Sequence, residues 1–143
     1  MPLKYAASAA AILGLCAALD PAPAAAQTVN CGDFHNRVLA AYRQMIDRAH
    51  AHGLRAFGAT ITPYVGSDYY HPGPLSEADR QTVNQWIRAD GHFDAVLDFD
   101  AVVRDPQRPD HLLPAYDCGD HLHPSPAGYR AMGESIPLTL FSR

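Results

Sequence analysis

The sequence predicts an α/β domain built on a short parallel sheet. Three observations carry that prediction. A helical stripe of apolar residues runs through Gly53 into a short apolar run, Leu54 to Ile61. A second helical stripe separates that run from another one, Phe93 to Phe99. An acid then stands three residues ahead of a histidine, just before a last helix-start signal, in Asp120-His121-Leu122-His123-Pro124-Ser125-Pro126. Alternating strands and helices make βαβ units, because parallel strands need a crossover of this kind.

Composition sets the frame. Of 143 residues 48% are hydrophobic and the formal net charge is −4. That is the balance of one folded domain, without the basic excess that nucleic-acid binding needs. The N-terminus differs from the rest. Lys4 precedes an apolar run from Ala6 to Leu19, followed by Asp20-Pro21-Ala22-Pro23-Ala24-Ala25-Ala26-Gln27. A charged start, a short apolar stretch and an Ala-x-Ala end read as an export signal, residues 1–26, cut after Ala26. The run is too short and too rich in alanine to span a bilayer comfortably. Leu15 before Cys16 is not the small residue a lipoprotein signal wants. The expectation is therefore one domain over 27–143, secreted or periplasmic, with no membrane span. An oxidising compartment suits a Cys31–Cys118 disulfide; two free thiols are the alternative.

Phe34, Val38, Tyr42, Ile46 and Ala49 recur at helical spacing, while Arg37, Arg43, Asp47 and Arg48 fall mostly on the other face. With Asp33 as N-cap and Gly53 as stop, a helix is expected over 34–52. The run 54–61, bounded by Gly53 and Pro63, reads as a buried parallel strand. Residues 62–75 form a loop rich in proline and glycine. Tyr69 and Tyr70 in that loop either line a substrate pocket or cover a core edge. Ser76 and Asp79 resemble a capping box, and Val83, Trp86 and Ile87 give the apolar stripe of a helix over 76–90. The second strand spans 93–99, completing a right-handed crossover. Asp98 and Asp100 lie at its C-terminal end, where α/β sheets place ligands; turn formation is the preferred reading for both. Residues 104–119 read as a polar loop. Ser125 and Pro126 are N-cap and first residue of a last helix over 126–136.

An Asp bonded to one imidazole nitrogen fixes the tautomer and leaves the other nitrogen free as a base. Asp120 and His123 have the spacing for this, with a loop in which both merely cap backbone as the alternative. His111, Asp117, Asp120, His121 and His123 also have metal-ligand chemistry, but zinc asks for three or four well-placed ligands and a supporting shell. No metal is expected.

Four stretches together resemble one family. Gly58-Ala59-Thr60-Ile61-Thr62-Pro63, Arg80 to Arg88, Phe93 to Asp100, and Leu113-Pro114-Ala115-Tyr116-Asp117-Cys118-Gly119-Asp120-His121-Leu122-His123-Pro124 are similar, in this order, to segments of SGNH (GDSL-type) esterases and lipases. The resemblance covers residues 33–140. It implies the C-terminal part of a flavodoxin-like three-layer α/β/α fold, with the two strands as the fourth and fifth of an incomplete parallel sheet. It implies carboxylic ester hydrolysis on a small-molecule, glycan or lipid ester, without a cofactor. His123 becomes the general base and Asp120 its orienting carboxylate.

The sequence departs from the family pattern in one respect. The Gly-Asp-Ser block that carries the nucleophile is absent, and so are the glycine and G-x-N-D blocks that complete the oxyanion hole. Cys31-Gly32-Asp33 is not Gly-Asp-Ser. Ser67 and Ser125 read as loop serines, the latter as a helix cap. The chain thus reads as a truncated, inactive copy of an ester hydrolase. A non-catalytic α/β remnant that binds a partner or a sugar is the alternative. Without its third-strand neighbour, the strand at 54–61 is expected to expose an edge and promote self-association.

Overall fold

The computed structural model describes residues 34–142. The segment expected to be an export signal, Cys31 and the expected Asp33 cap lie outside the described residues. Helix α1 (Phe34–Ala51) ends where Gly53 takes φ +68°. That left-handed residue lets the Leu54 N–H return to the Ala49 carbonyl at 2.9 Å. Strand β1 (Phe57–Ala59) then pairs in parallel with β2 (Ala95–Leu97), Gly58 opposite Val96. Helix α2 (Pro74–Arg88) makes the crossover between them. It starts two residues before the expected capping box. Gly73 is the N-cap and Pro74 occupies the first turn, where its fixed φ and missing N–H cost nothing.

Both strands are three residues long, shorter than the apolar runs 54–61 and 93–99 predict. Side chains close the ladder at each end. The Asp94 carboxylate accepts from the Ala56 N–H at 2.7 Å. At the other end Asn84 clasps Ile61, accepting from its N–H at 2.7 Å and donating to its carbonyl at 2.8 Å. Asn84 is wholly buried, and this two-way bond satisfies its amide where an isolated polar group would be costly.

The core lies where α1 and α2 meet the sheet. Leu39, Val83 and Ile87 are buried there, with Val38, Tyr42, Trp86, Phe93 and Val96 packed around them. Tyr42, Trp86 and Phe93 meet ring to ring at 5.8–6.2 Å between centroids, Phe93 edge-on to the other two. Gly58 is the point of closest approach. A Cβ there would stand 2.3 Å from the Phe93 ring, so only glycine admits the ring against β1.

Past the strand ends the interior becomes charged. Asp98 caps α3 (Phe99–Val103) by accepting from the Ala101 N–H at 3.2 Å, as its reading as a turn-former predicts. Asp100 does something else. It is fully buried and receives Arg80 at 2.6 Å, Arg88 at 2.5 Å and Arg104 at 3.1 Å. Thr60 links the two residues, donating to the Asp98 carboxylate and accepting from the Asp100 N–H.

The stretch 104–119 is more ordered than its polar sequence predicts. Strands β3 (Arg104–Asp105) and β4 (Arg108–Leu112) form an antiparallel hairpin, followed by a 3-10 turn over Pro114–Tyr116. The turn between the strands is held by Asp105, which accepts from the Gln107 N–H at 2.9 Å. Helix α4 (Pro126–Glu134) closes the fold, and a second 3-10 turn, Leu138–Phe141, sets Phe141 edge-on to Phe57. Among the described residues no helix is long and apolar enough to cross a membrane.

Candidate active site

The loop before α4 is pinned at both ends. Cys118 N–H donates to the His123 carbonyl at 3.1 Å, and Ser125 N–H to the Tyr116 carbonyl at 2.7 Å. The Ser125 hydroxyl accepts from the Gly128 N–H and donates to the Ala115 carbonyl, so this serine is a helix cap. Gly128 is required beneath it, since a Cβ there would meet the Tyr116 carbonyl oxygen at 2.8 Å.

Within the pinned loop Asp120 turns both oxygens inward. Oδ1 accepts from the backbone N–H groups of Leu122 and His123 at 3.0 and 2.9 Å. Oδ2 meets His123 Nδ1 at 2.6 Å. The His123 bond and then these backbone donors hold the carboxyl far below the usual aspartate range. A neutral His123 facing that carboxylate carries its proton on Nδ1 and presents Nε2 as the acceptor. The imidazole is well exposed, at 61% of its side-chain surface. The structure thus brings the Asp120 carboxylate and the His123 ring together.

A second pair interleaves with the first. Asp117 accepts from the N–H groups of Gly119 and His121 and meets His121 Nδ1 at 2.6 Å. His121 has φ +58° and its ring lies against Gly66, where a Cβ would come to 3.3 Å. Sequence reading treats Asp117 and His121 only as metal-ligand types. Their spacing of four residues, overlapping the Asp120–His123 spacing of three, is the signal that was there to find. His111 lies apart, bonded to its neighbour Asp110 at 2.7 Å. The five residues with ligand chemistry, together with Asp110, thus form three Asp–His pairs.

Cys118 is a free, exposed thiol. It donates to Asp120 Oδ1 at 3.2 Å, and that bond to an anion pushes the thiol pKa up. Beside the loop, Ser67, Asp68, Tyr69, Gly119, Asp120 and Leu122 line a cavity of about 450 Å³. Tyr69 therefore stands at the candidate site. Tyr70 packs edge-on against it at 4.8 Å. The Ser67 hydroxyl is buried and accepts from the Tyr69 N–H at 3.3 Å; it makes no hydrogen bond to His123.

The site gives a pH expectation. Bonds from Arg88 lower Asp98, and bonds from His123 lower Asp120. A carboxylate whose folded pKa lies below its unfolded value stabilises the fold above the unfolded pKa, about 4, and loses that contribution as pH falls through the folded value. Thermal melting followed by circular dichroism should therefore give a near-constant Tm down to about pH 5 and a falling one below about pH 4. A Tm unchanged to about pH 2.5 would contradict these pairings.

The chain is thus an α/β protein with a carboxylate-oriented histidine on the loop entering its last helix. The chain is a member of the GDSL-like lipase/acylhydrolase family, whose sequence model matches residues 15–131. The match begins inside the segment read as an export signal. A solved structure of a lipolytic protein of the G-D-S-L family, from Desulfitobacterium hafniense DCB-2, shares the fold with a TM-score of 0.56 at 20% identity. The likeness covers 71% of this chain and 53% of that one, so the chain spans about half the length of the structure it matches. No curated protein matches the sequence.

Proposed function

We propose that His123, oriented by Asp120, is the base of a carboxylic ester hydrolase site, and that the 143-residue chain holds this base without the nucleophile it serves. The observation that carries the reading is the 2.6 Å Nδ1–Oδ2 bond in a loop open to solvent. In such a site the base takes a proton from a serine hydroxyl, the oxygen attacks the ester carbonyl, and a water activated by the same imidazole later releases the acid. No step asks for a metal or organic cofactor. The sequence has no Gly-Asp-Ser or G-x-N-D block, and Ser67 and Ser125 are engaged elsewhere. Esterase assays with a serine-directed probe test the reading, as argued below. A sugar-binding reading is favoured by one observation. Tyr69 is 79% exposed and lines the cavity beside Asp120, the arrangement of an aromatic face open to a ring-shaped ligand.

We also propose that the chain associates with itself through β1. Among the described residues β1 pairs only with β2. Beside β1, Tyr42, Met45, Ile46, Ala49 and Phe57 help line an apolar hollow of about 390 Å³, and Met45 is 64% exposed. An open strand edge beside apolar surface is a template for pairing. Size-exclusion chromatography with light scattering should give oligomers that Met45→Lys disperses. A sharp monomer peak for the unmodified chain would rule this out.

A further inference from the structure

The loop that presents His123 also gathers a set of donors that proton transfer does not use. Cys118 Sγ, a carboxylate oxygen of Asp120 and a ring nitrogen of His123 all lie within 4.8 Å of one another. We propose that these three side chains bind one divalent cation of the zinc class, and that the bound ion takes His123 out of service as a base. The inference does not depend on whether the chain hydrolyses esters.

Distances and donor chemistry carry the argument. Zinc holds sulfur at about 2.3 Å and nitrogen or oxygen at about 2.0–2.2 Å, which in a tetrahedron sets neighbouring donors roughly 3.3–3.6 Å apart. Cys118 Sγ already stands 3.2 Å from Asp120 Oδ1. The His123 Nδ1–Asp120 Oδ2 contact, at 2.6 Å, is held closed by a proton; it opens if an ion replaces that proton on Nδ1 and stays if the ion takes Nε2. A thiolate, an imidazole and a carboxylate together suit zinc or cobalt, whereas magnesium and calcium prefer oxygen alone. The backbone donors of Leu122 and His123 already hold Asp120 in place, the kind of outer support that zinc ligands use. Water completes the coordination, since all three residues are exposed.

The protons balance simply. The Cys118 thiol releases its proton to solvent on binding. The imidazole stays neutral. If Nδ1 takes the metal, its proton moves to Nε2; if Nε2 takes the metal, the proton stays on Nδ1. In either case the base nitrogen is lost, because it is metallated or protonated.

The test uses the full chain, reduced and stripped with a chelator. Equilibrium dialysis with zinc should find one bound equivalent, and cobalt should give a thiolate-to-metal charge-transfer band. Cys118→Ser should abolish the band, and both Cys118→Ser and His123→Ala should weaken zinc binding by more than the roughly 10–100-fold that loss of a supporting contact costs. Cys31→Ser and His111→Ala should leave band and affinity unchanged. Circular dichroism of each variant checks that the fold is intact, which the exposure of Cys118 predicts. No uptake by the unmodified chain, or a band that survives Cys118→Ser, would overturn the proposal.

Discussion

Replacing Asp100 with alanine is expected to destabilise the fold by about 3–5 kcal/mol, the cost of breaking a buried ion pair from one side. Asp100 is fully buried, and the Arg80 side chain facing it is 1% exposed. Removing the carboxylate leaves Arg80 with Glu77 and the carbonyls of Ile61 and Pro109 as acceptors. Arg88 and Arg104 lose the partner they share. Because domains hold only about 5–15 kcal/mol in total, that loss is a large share of the stability and should lower the Tm of Asp100→Ala markedly. Urea titration of the soluble protein measures the loss. The double change Arg80→Met with Asp100→Leu should recover most of it, since apolar packing can replace a buried pair at little net cost. A loss below about 1 kcal/mol for Asp100→Ala would mean that the arginines hold the carboxylate without the fold depending on it.

On a short-chain aryl ester the chain is expected to turn over at the rate of buffer, and His123→Ala and Asp120→Ala should leave that rate unchanged. A base and its orienting acid accelerate hydrolysis only through a nucleophile. Each missing oxyanion donor costs a further 10²–10³ in rate, roughly. Hydrolysis well above buffer that falls on His123→Ala would show a nucleophile in reach of the imidazole. Ser67 is then the first residue to replace, because it shares a cavity with Asp120.

Much of this was legible in the sequence where local signals act. Gly53 stops α1 and Ser125-Pro126 starts α4 as their residue types require. The pairing of Asp120 with His123 follows from a three-residue spacing in a short loop. Contacts between distant residues were not legible in the same way. Asn84 and Asp94 close the strand ladder across 23 and 38 residues of sequence, so apolar runs alone overstate β1 and β2. The hairpin β3–β4 was hidden because Arg108-Pro109-Asp110-His111 carries no alternating apolar pattern. Asp100 reads as a turn residue until its partners are known. A faint trace of them exists, since Arg80, Asn84 and Arg88 recur every fourth residue beside Val83 and Ile87. That polar stripe reaches Ile61, Asp98 and Asp100. The expected partner of Cys118 in a disulfide, Cys31, lies outside the described residues; the Cys118 thiol donates to the carboxylate two residues on.

The proposed function sets an oriented base, His123, in a chain whose sequence has no Gly-Asp-Ser block. Intact-mass measurement after treatment with an excess of fluorophosphonate tests this directly, because the probe labels a serine only when a neighbouring base activates it. The expected spectrum is that of the unmodified chain. A stoichiometric adduct that disappears in His123→Ala would contradict the account and identify the missing nucleophile by its peptide.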